Sequence, residues 1–454
     1  MMWRLSEAAA CIGGCVAGPD VHFDAVGNDS RGDCTRQLFV ALRGVHFDAH
    51  GFVAQAQRKG AAAALVDHRV DADIPQLVVD DTRLGLGRLA AAWRERVTGR
   101  VIAVTGSNGK TTCKEMTAAV LGQVGSVHAA SGNLNNDIGL PLTLLAARDQ
   151  DFVVLEMGAN HPGEIAYLTA IGCPDIAVIT NAGRAHLEGF GGLEGVARAK
   201  GEIAQGLPAD GALIVPSDAP WIGLWRDLAA GRRVLTCGPD ATAAVRAEVD
   251  GIRGVWNENG FRTGFKVRVG DSELELVLGL AGTHNVRNAL MAVAVAKVLE
   301  VEPAAIRAGL ADLQPAPGRL YPREGPGGLR LIDDSYNANP DSVRAAIEVL
   351  VGLPGRHWLV LGDLGELGSE AEVLHRGLGE TARAAGVEVL YTVGTLCALA
   401  TEAFGAGGRH FQDQTSLISA LRGRLGPHDL VLVKGSRAAA MERVADAVCG
   451  TGGT

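Results

Sequence analysis

Apolar positions along this 454-residue chain follow two periods that take turns. Uninterrupted apolar runs read as buried strands, and between them apolar residues recur every three or four positions, as on one face of a helix. Up to about residue 97, runs at 38–42, 62–66 and 76–79 predict strands, and helical spacing covers 52–59 and 83–97. An amphipathic helix begins near Ser6, and Glu7 interrupts the short apolar stretch leading to Cys15, which argues against an export signal there. From about 98 to 312, runs at 101–104, 151–156 and 175–181 predict buried strands, and 193–206 predicts a helix. Strict alternation in Phe265-Lys266-Val267-Arg268-Val269 and Leu274-Glu275-Leu276 predicts an antiparallel extension. Gly282 to Asn288 opens a long apolar helix. Past Gln314-Pro315-Ala316-Pro317-Gly318, whose prolines and glycine mark a hinge, strands are legible at 329–333, 357–362, 388–393 and 429–433. Each is followed by a helical pattern.

This alternation predicts an α/β protein of three domains. They are a small mixed domain over 1–97, a central P-loop ATPase-type parallel sheet over 98–312, and a Rossmann-like domain over 313–454. Length agrees, at about 150 residues per domain. Composition changes little: 47% hydrophobic and 20% charged residues describe an ordinary globular chain. The net charge of −9 comes without any cluster of Lys and Arg, which argues against nucleic acid or an anionic membrane surface as partner. Eight scattered cysteines without a C-x-x-C pair read as reduced thiols, so a cytoplasmic location is expected. No apolar run approaches the ~18 residues that span a bilayer.

The chemistry concentrates after the 101–104 run, in Thr105-Gly106-Ser107-Asn108-Gly109-Lys110-Thr111-Thr112. A strand, a glycine-rich turn and a helix opening on Lys-Thr form a phosphate grip. Successive N–H groups point inward, a lysine reaches the β/γ-phosphates and a hydroxyl is offered to Mg²⁺. The general pattern asks for glycine at 104, where this chain has Val104, so the loop is a compact form. Glu156 ends the next strand, where a second metal-binding group is expected. A lone histidine is often structural, but His186 lies just past another strand end on the same edge, which favours a ligand. Arg319, Asp334 and Lys434 sit at hinge and strand ends where a neighbouring nucleotide can be touched. Gly85-Leu86-Gly87-Arg88-Leu89-Ala90 nominally fits a dinucleotide fingerprint but falls inside a helical pattern, so it reads as packing.

The loop resembles that of the Mur ligases, ATP-dependent amide-forming enzymes of bacterial cell-wall precursor synthesis. Further segments resemble them in order. These are Asp29-Ser30-Arg31, Gly132 to Pro141, Glu156 to Asn160, Ala185 to Gly191, Ala199 to Ile203, Asp334 to Pro340 and Val433 to Arg437. The last two, with Glu156-Met157-Gly158, resemble the family branch that adds D-alanyl-D-alanine to UDP-N-acetylmuramoyl-tripeptide through an acyl phosphate. The resemblance implies that Ser30 and Arg31 lie near the uridine, with Asn135 and Asn136 along the muramoyl-peptide channel. His284, Asn285 and Asn288 would lie near adenine, Asp334 near the ribose and Arg319 near the phosphates. Tyr336, Asn337 and Lys434 would serve the substrate. It further implies two Mg²⁺ ions held by Thr111, Glu156, His186 and Lys200, the last as a carbamate; otherwise Lys200 is an ordinary helix lysine. Lys110 completes the catalytic set.

A related amide ligase of the same fold is a neighbouring alternative, opposed by the 334–340 signature and by Asp29-Ser30-Arg31. A nucleotide switch without ligation is opposed by the absence of an [NT]-K-x-D element. The expected substrates are small molecules, the chain is expected to act as a monomer, and its third domain must close to bring Arg319, Asp334 and Lys434 to ATP.

Overall fold

The computed structural model describes residues 2–45, 47–184, 187–249, 252–258 and 260–450. Its strands form three main sheets in chain order. The first has five strands, in the order Cys15–Ala17, Gln76–Val78, Ala63–Val66, Gln37–Val40 and Ala25–Gly27. All its pairings are parallel except that of Cys15–Ala17 with Gln76–Val78.

The central sheet has ten strands. Val127–Ala129, Phe152–Glu156, Arg100–Thr105, Ile176–Ile179, Ala212–Pro216, Arg233–Gly238 and Val245–Arg246 are parallel neighbours in that order. Gly260–Val269 then joins antiparallel and carries Ser272–Leu278 and Val255–Asn257, the extension that the alternating pattern predicted. Every residue of Ile176–Ile179 and Ala212–Pro216 is buried, as expected where helices cover both faces of a parallel sheet. Gly260–Val269 alternates buried with exposed positions, so one of its faces is wet.

The third sheet runs Tyr321–Glu324, Arg330–Asp334, Asp429–Lys434, Arg356–Gly362, Val389–Val393 and Gly408–Phe411. It is parallel apart from its first strand. The helix expected over 193–206 is α-helical over Leu193–Gly201 and tightens to 3-10 geometry over Glu202–Gly206.

Arg100–Thr105 lies between Phe152–Glu156 and Ile176–Ile179, so the chain departs to opposite sides of it and leaves a crevice at its carboxyl end. That crevice is the site. The first sheet's helix Thr82–Arg94 carries the nominal fingerprint and packs it inward: a Cβ on Gly87 would lie 2.2 Å from Tyr167 Oη. Trp93, Val97, Val101, Leu144 and Leu155 belong to one apolar cluster that continues through both the first and central regions. Trp93 Nε1 donates to Ala147 O at 3.0 Å, and Arg94 Nε donates to Gly172 O at 3.0 Å. The third region has separate clusters, entered from the central region by Phe261 and Ala281.

Candidate active site

Two of the turn's glycines are required by space. Gly106 and Gly109 have φ of +148° and +79°, and a Cβ there would lie 1.9 Å from Thr180 Oγ1 and 2.5 Å from Asn288 Oδ1 respectively. The turn is braced from the next strand end: Asn181 Oδ1 accepts from Asn108 N at 3.0 Å, and Thr180 Oγ1 donates to Asn108 O at 2.6 Å. Lys110 opens the helix Lys110–Leu121, and its Nζ donates to Gly106 O at 2.7 Å and Ser107 O at 3.4 Å. Lys110 is only partly buried as a residue, but desolvation at its amine holds it below the usual lysine range; the Glu156 carboxylate opposes this and the Arg319 charge reinforces it. Thr111, on the same first turn, is buried.

Glu156 closes its strand with one oxygen engaged and one bare. Oε1 accepts from Asn135 Nδ2 at 2.8 Å, whereas Oε2 is enclosed without a hydrogen-bond partner. Asn136 Oδ1 accepts from Gly139 N, at the start of the helix Gly139–Ala146, at 2.8 Å. Lys200 is 2% exposed, with its Nζ 3.5 Å from Ala159 O and 5.2 Å from the centre of the Phe190 ring. Burial, helped by the Lys110 charge and opposed by Glu164 and Glu202, brings its pKa down to about 7. His186 lies outside the described residues.

Across the crevice, the helix Thr283–Val298 presents His284, Asn285 and Asn288. Asn285 Nδ2 donates to Ala281 O at 2.7 Å, and Asn288 Nδ2 donates to Asn285 Oδ1 at 3.3 Å. His284 Nδ1 is enclosed without a partner, although the residue as a whole is only partly buried; desolvation, then the Lys434 charge, lowers its pKa to about 4. A side pocket of about 230 Å³ opens between this helix and the turn, walled by Asn288, Trp221, Pro216 and Cys237.

The third sheet faces the same space. Arg319 lies over Tyr336, 4.1 Å from the ring centre. Lys434 Nζ binds Asp334 Oδ2 at 2.6 Å and Asn337 O at 2.9 Å, so its charge orders that strand end. The turn and the third region already touch. Asn339 Nδ2 donates to Asn108 Oδ1 at 2.7 Å, Asn108 Nδ2 returns a bond at 3.4 Å, and Arg184 N donates to Asp341 Oδ2 at 2.8 Å.

A single cavity of about 1550 Å³ is lined by Ser107 to Thr112, Asn135, Asn136, Glu156, His284, Asn285 and Asn288. Arg319, Asp334, Tyr336, Asn337 and Lys434 line it as well. Gly106, Lys200, Ser30 and Arg31 are not among its lining residues. Arg31 is exposed and paired with Asp29 at 2.8 Å, whereas Ser30 beside it is buried. Sequence reasoning missed Asn181, Arg83 and Asp341. Arg83 is ion-paired with Asp137, and both line the cavity. Of these, Asp341 had a readable signal, because Asn339-Pro340 is an N-cap followed by proline at the first helical position.

Residues 104–296 match the model of the Mur ligase middle domain, and 318–437 match that of the Mur ligase glutamate ligase domain. The UDP-N-acetylmuramoyl-tripeptide–D-alanyl-D-alanine ligase of Escherichia coli (strain K12) is 44% identical over 448 residues, covering 98% of each chain. The chain belongs to the Mur ligases. Among solved structures, this Mur ligase resembles a crystal structure of MurF from Acinetobacter baumannii, with a TM-score of 0.91 and 36% identity over 98% of each chain. It also resembles the MurF ligase of Thermotoga maritima in complex with ADP, with a TM-score of 0.82 and 30% identity over 93% of this chain and 96% of that one.

Proposed function

We propose that this Mur ligase joins D-alanyl-D-alanine to UDP-N-acetylmuramoyl-tripeptide with cleavage of ATP, in the making of a peptidoglycan precursor. The carrying observation is that the phosphate turn and Glu156 share one cavity with Arg319, Asp334 and Tyr336 of the third region. A nucleotide and the carboxylate that it activates can meet there. The likeness to ligases of this name along the whole chain selects the substrates.

The chemistry follows from charge. A carboxylate is a poor electrophile because its leaving group would be oxide. Its oxygen attacks the γ-phosphorus of ATP, the bond to the β-phosphate oxygen breaks, and ADP leaves an acyl phosphate. The dipeptide amine then attacks the acyl carbon and loses a proton, and phosphate departs as the amide forms. The first step sets an anion against a triphosphate, so cations must converge on it. Lys110 meets the β/γ-phosphates, and the turn's N–H groups, with Gly106 to Thr112, cradle them. Arg319 approaches from the third region. His284, Asn285 and Asn288 face adenine, and Asp334 faces the ribose.

A carboxylate oxygen enclosed without a partner fits a hard cation. Thr111 would hold one Mg²⁺, and Glu156, His186 and Lys200 a second. Bound there, Mg²⁺ neutralises the charge that develops on the phosphate oxygens. A lysine brought to about 7 has a large neutral fraction at physiological pH, which is the form that takes up CO₂. The proposed state of Lys200 is therefore the carbamate, an anion suited to a cation site.

Residues 1–97 would hold the UDP end through Ser30 and Arg31, 98–312 the ATP, and 313–454 would close over both. Asn135, Asn136, Tyr336, Asn337 and Lys434 would line the path of the substrate. Free thiols throughout fit a reducing compartment, and the proposed location is the cytoplasm, with the chain acting as a monomer. Among the described residues no helix is long and apolar enough to cross a membrane. The test is ADP release: it should require both UDP-N-acetylmuramoyl-tripeptide and D-alanyl-D-alanine. Equal ATP hydrolysis with and without the dipeptide would refute the ligase reading.

A further inference from the structure

Three lysines are buried among the described residues: Lys114, Lys200 and Lys434. Asp334 accounts for Lys434, and the cation site proposed above accounts for Lys200. Lys114 has no such role, yet it is 0% exposed. An apolar side chain would fill that space without the desolvation that an ammonium suffers, so packing does not explain the residue.

Its contacts do. Lys114 follows Lys110 by one turn on the helix Lys110–Leu121. Its Nζ donates to Ala130 O and pairs with Glu115 Oε1 at 2.9 Å. Ala130 is the first residue beyond the strand Val127–Ala129 and begins a loop whose next four residues, 131–134, are exposed. The loop is tied again at Asn135. There Nδ2 donates to Glu156 Oε1 at 2.8 Å, and the main-chain oxygen accepts from Gly158 N at 2.7 Å. Asn135 thus occupies one Glu156 oxygen and leaves the other bare, and its place depends on where the loop starts.

We propose that Lys114 is a positioning residue: by gripping Ala130 O it ties the phosphate-turn helix to the 131–138 loop and sets Asn135 against Glu156. This rests on the reading of Glu156 as the carboxylate of the phosphate site. Lys114→Met should stay folded, with turnover lowered at least tenfold and the half-saturating Mg²⁺ concentration raised several-fold. Asn135→Ala should do the same, and the double variant should be no worse than Asn135→Ala alone. Lys114→Gln, which keeps a donor, should regain part of the turnover.

Two readouts need no substrate. Amides of 131–138 and of Gly158 should exchange hydrogen faster in Lys114→Met than in the unaltered protein. In the unaltered protein, ¹⁵N NMR should show a Lys114 ammonium whose protons exchange slowly. A rapidly exchanging ammonium, unchanged loop protection in a folded Lys114→Met, or losses that multiply in the double variant would each overturn the proposal. An intact anchor in a protein without ligation would count against the ligase reading alone.

Discussion

Lys110 touches carbonyls of its own turn and no apolar cluster, so its removal should leave the fold intact. Lys110→Ala should lower turnover about a thousandfold or more while circular dichroism and melting temperature stay near those of the unaltered protein. Lys200 lends itself to a sharper comparison. Lys200→Ala should lose most activity, and acetate should restore part of it by supplying a carboxylate to the vacated space. Lys200→Arg, charged but unable to form a carbamate, should be as impaired and resist rescue; if arginine works as well as lysine, the carbamate idea is wrong. His284 adds a pH dependence. Its pKa, brought from 6.5 to about 4, leaves the folded ring neutral where the unfolded ring binds a proton. Stability from this group is therefore intact above about 6.5 and is lost as pH falls toward 4. Imidazole NMR should find its midpoint well below 6.5, and a His284 variant should lose less stability over that interval.

At the scale of elements, the clasp between the phosphate turn and the helix Pro340–Val351 joins two duties in one residue. Asn339 caps that helix through Ser342 N at 2.9 Å and also bonds to Asn108. Asn339→Ala should lose about 1 kcal/mol of stability from the missing cap. Asn339→Ser should keep the cap yet share the loss of nucleotide affinity, measured as a raised KM for ATP. The strands readable in the sequence were continuous apolar runs such as Ile176–Ile179, whose two faces are covered, and the alternating pair at 265–276, which has one wet face; Ala212–Pro216 is as apolar and as buried a run and went unread. Val127–Ala129 and Gly408–Phe411 escaped notice because His128, Arg409 and His410 interrupt them and each lies at a sheet edge, where one flank is unpaired. The turn and Glu156 were legible as local patterns. The Asn108–Asn339 clasp was not, since it joins residues 231 positions apart and leaves no local trace.

At the scale of the molecule, the first and central regions share an apolar cluster, whereas the third meets the turn through polar contacts and the rest of the central region through Phe261 and Ala281. Sequence reasoning had Arg319, Asp334 and Lys434 reach the nucleotide only on closure, yet they already line the cavity here. The expected motion is thus opening of the third region about the Pro315–Gly318 hinge, with the first two moving as one body. Spin labels on the first and central regions should keep one separation with and without substrate and ATP analogue. Labels on the central and third regions should change theirs, and an unchanged distance there would contradict the hinge. The Trp93 seam also bears on engineering by domain exchange. A chimera cut at residue 97 would part Trp93 from Ala147 and leave half an interior facing water on each piece. A graft from a relative should therefore express in soluble form only if the helix Gly139–Ala146 travels with it, whereas a cut at the 315–318 hinge should be tolerated.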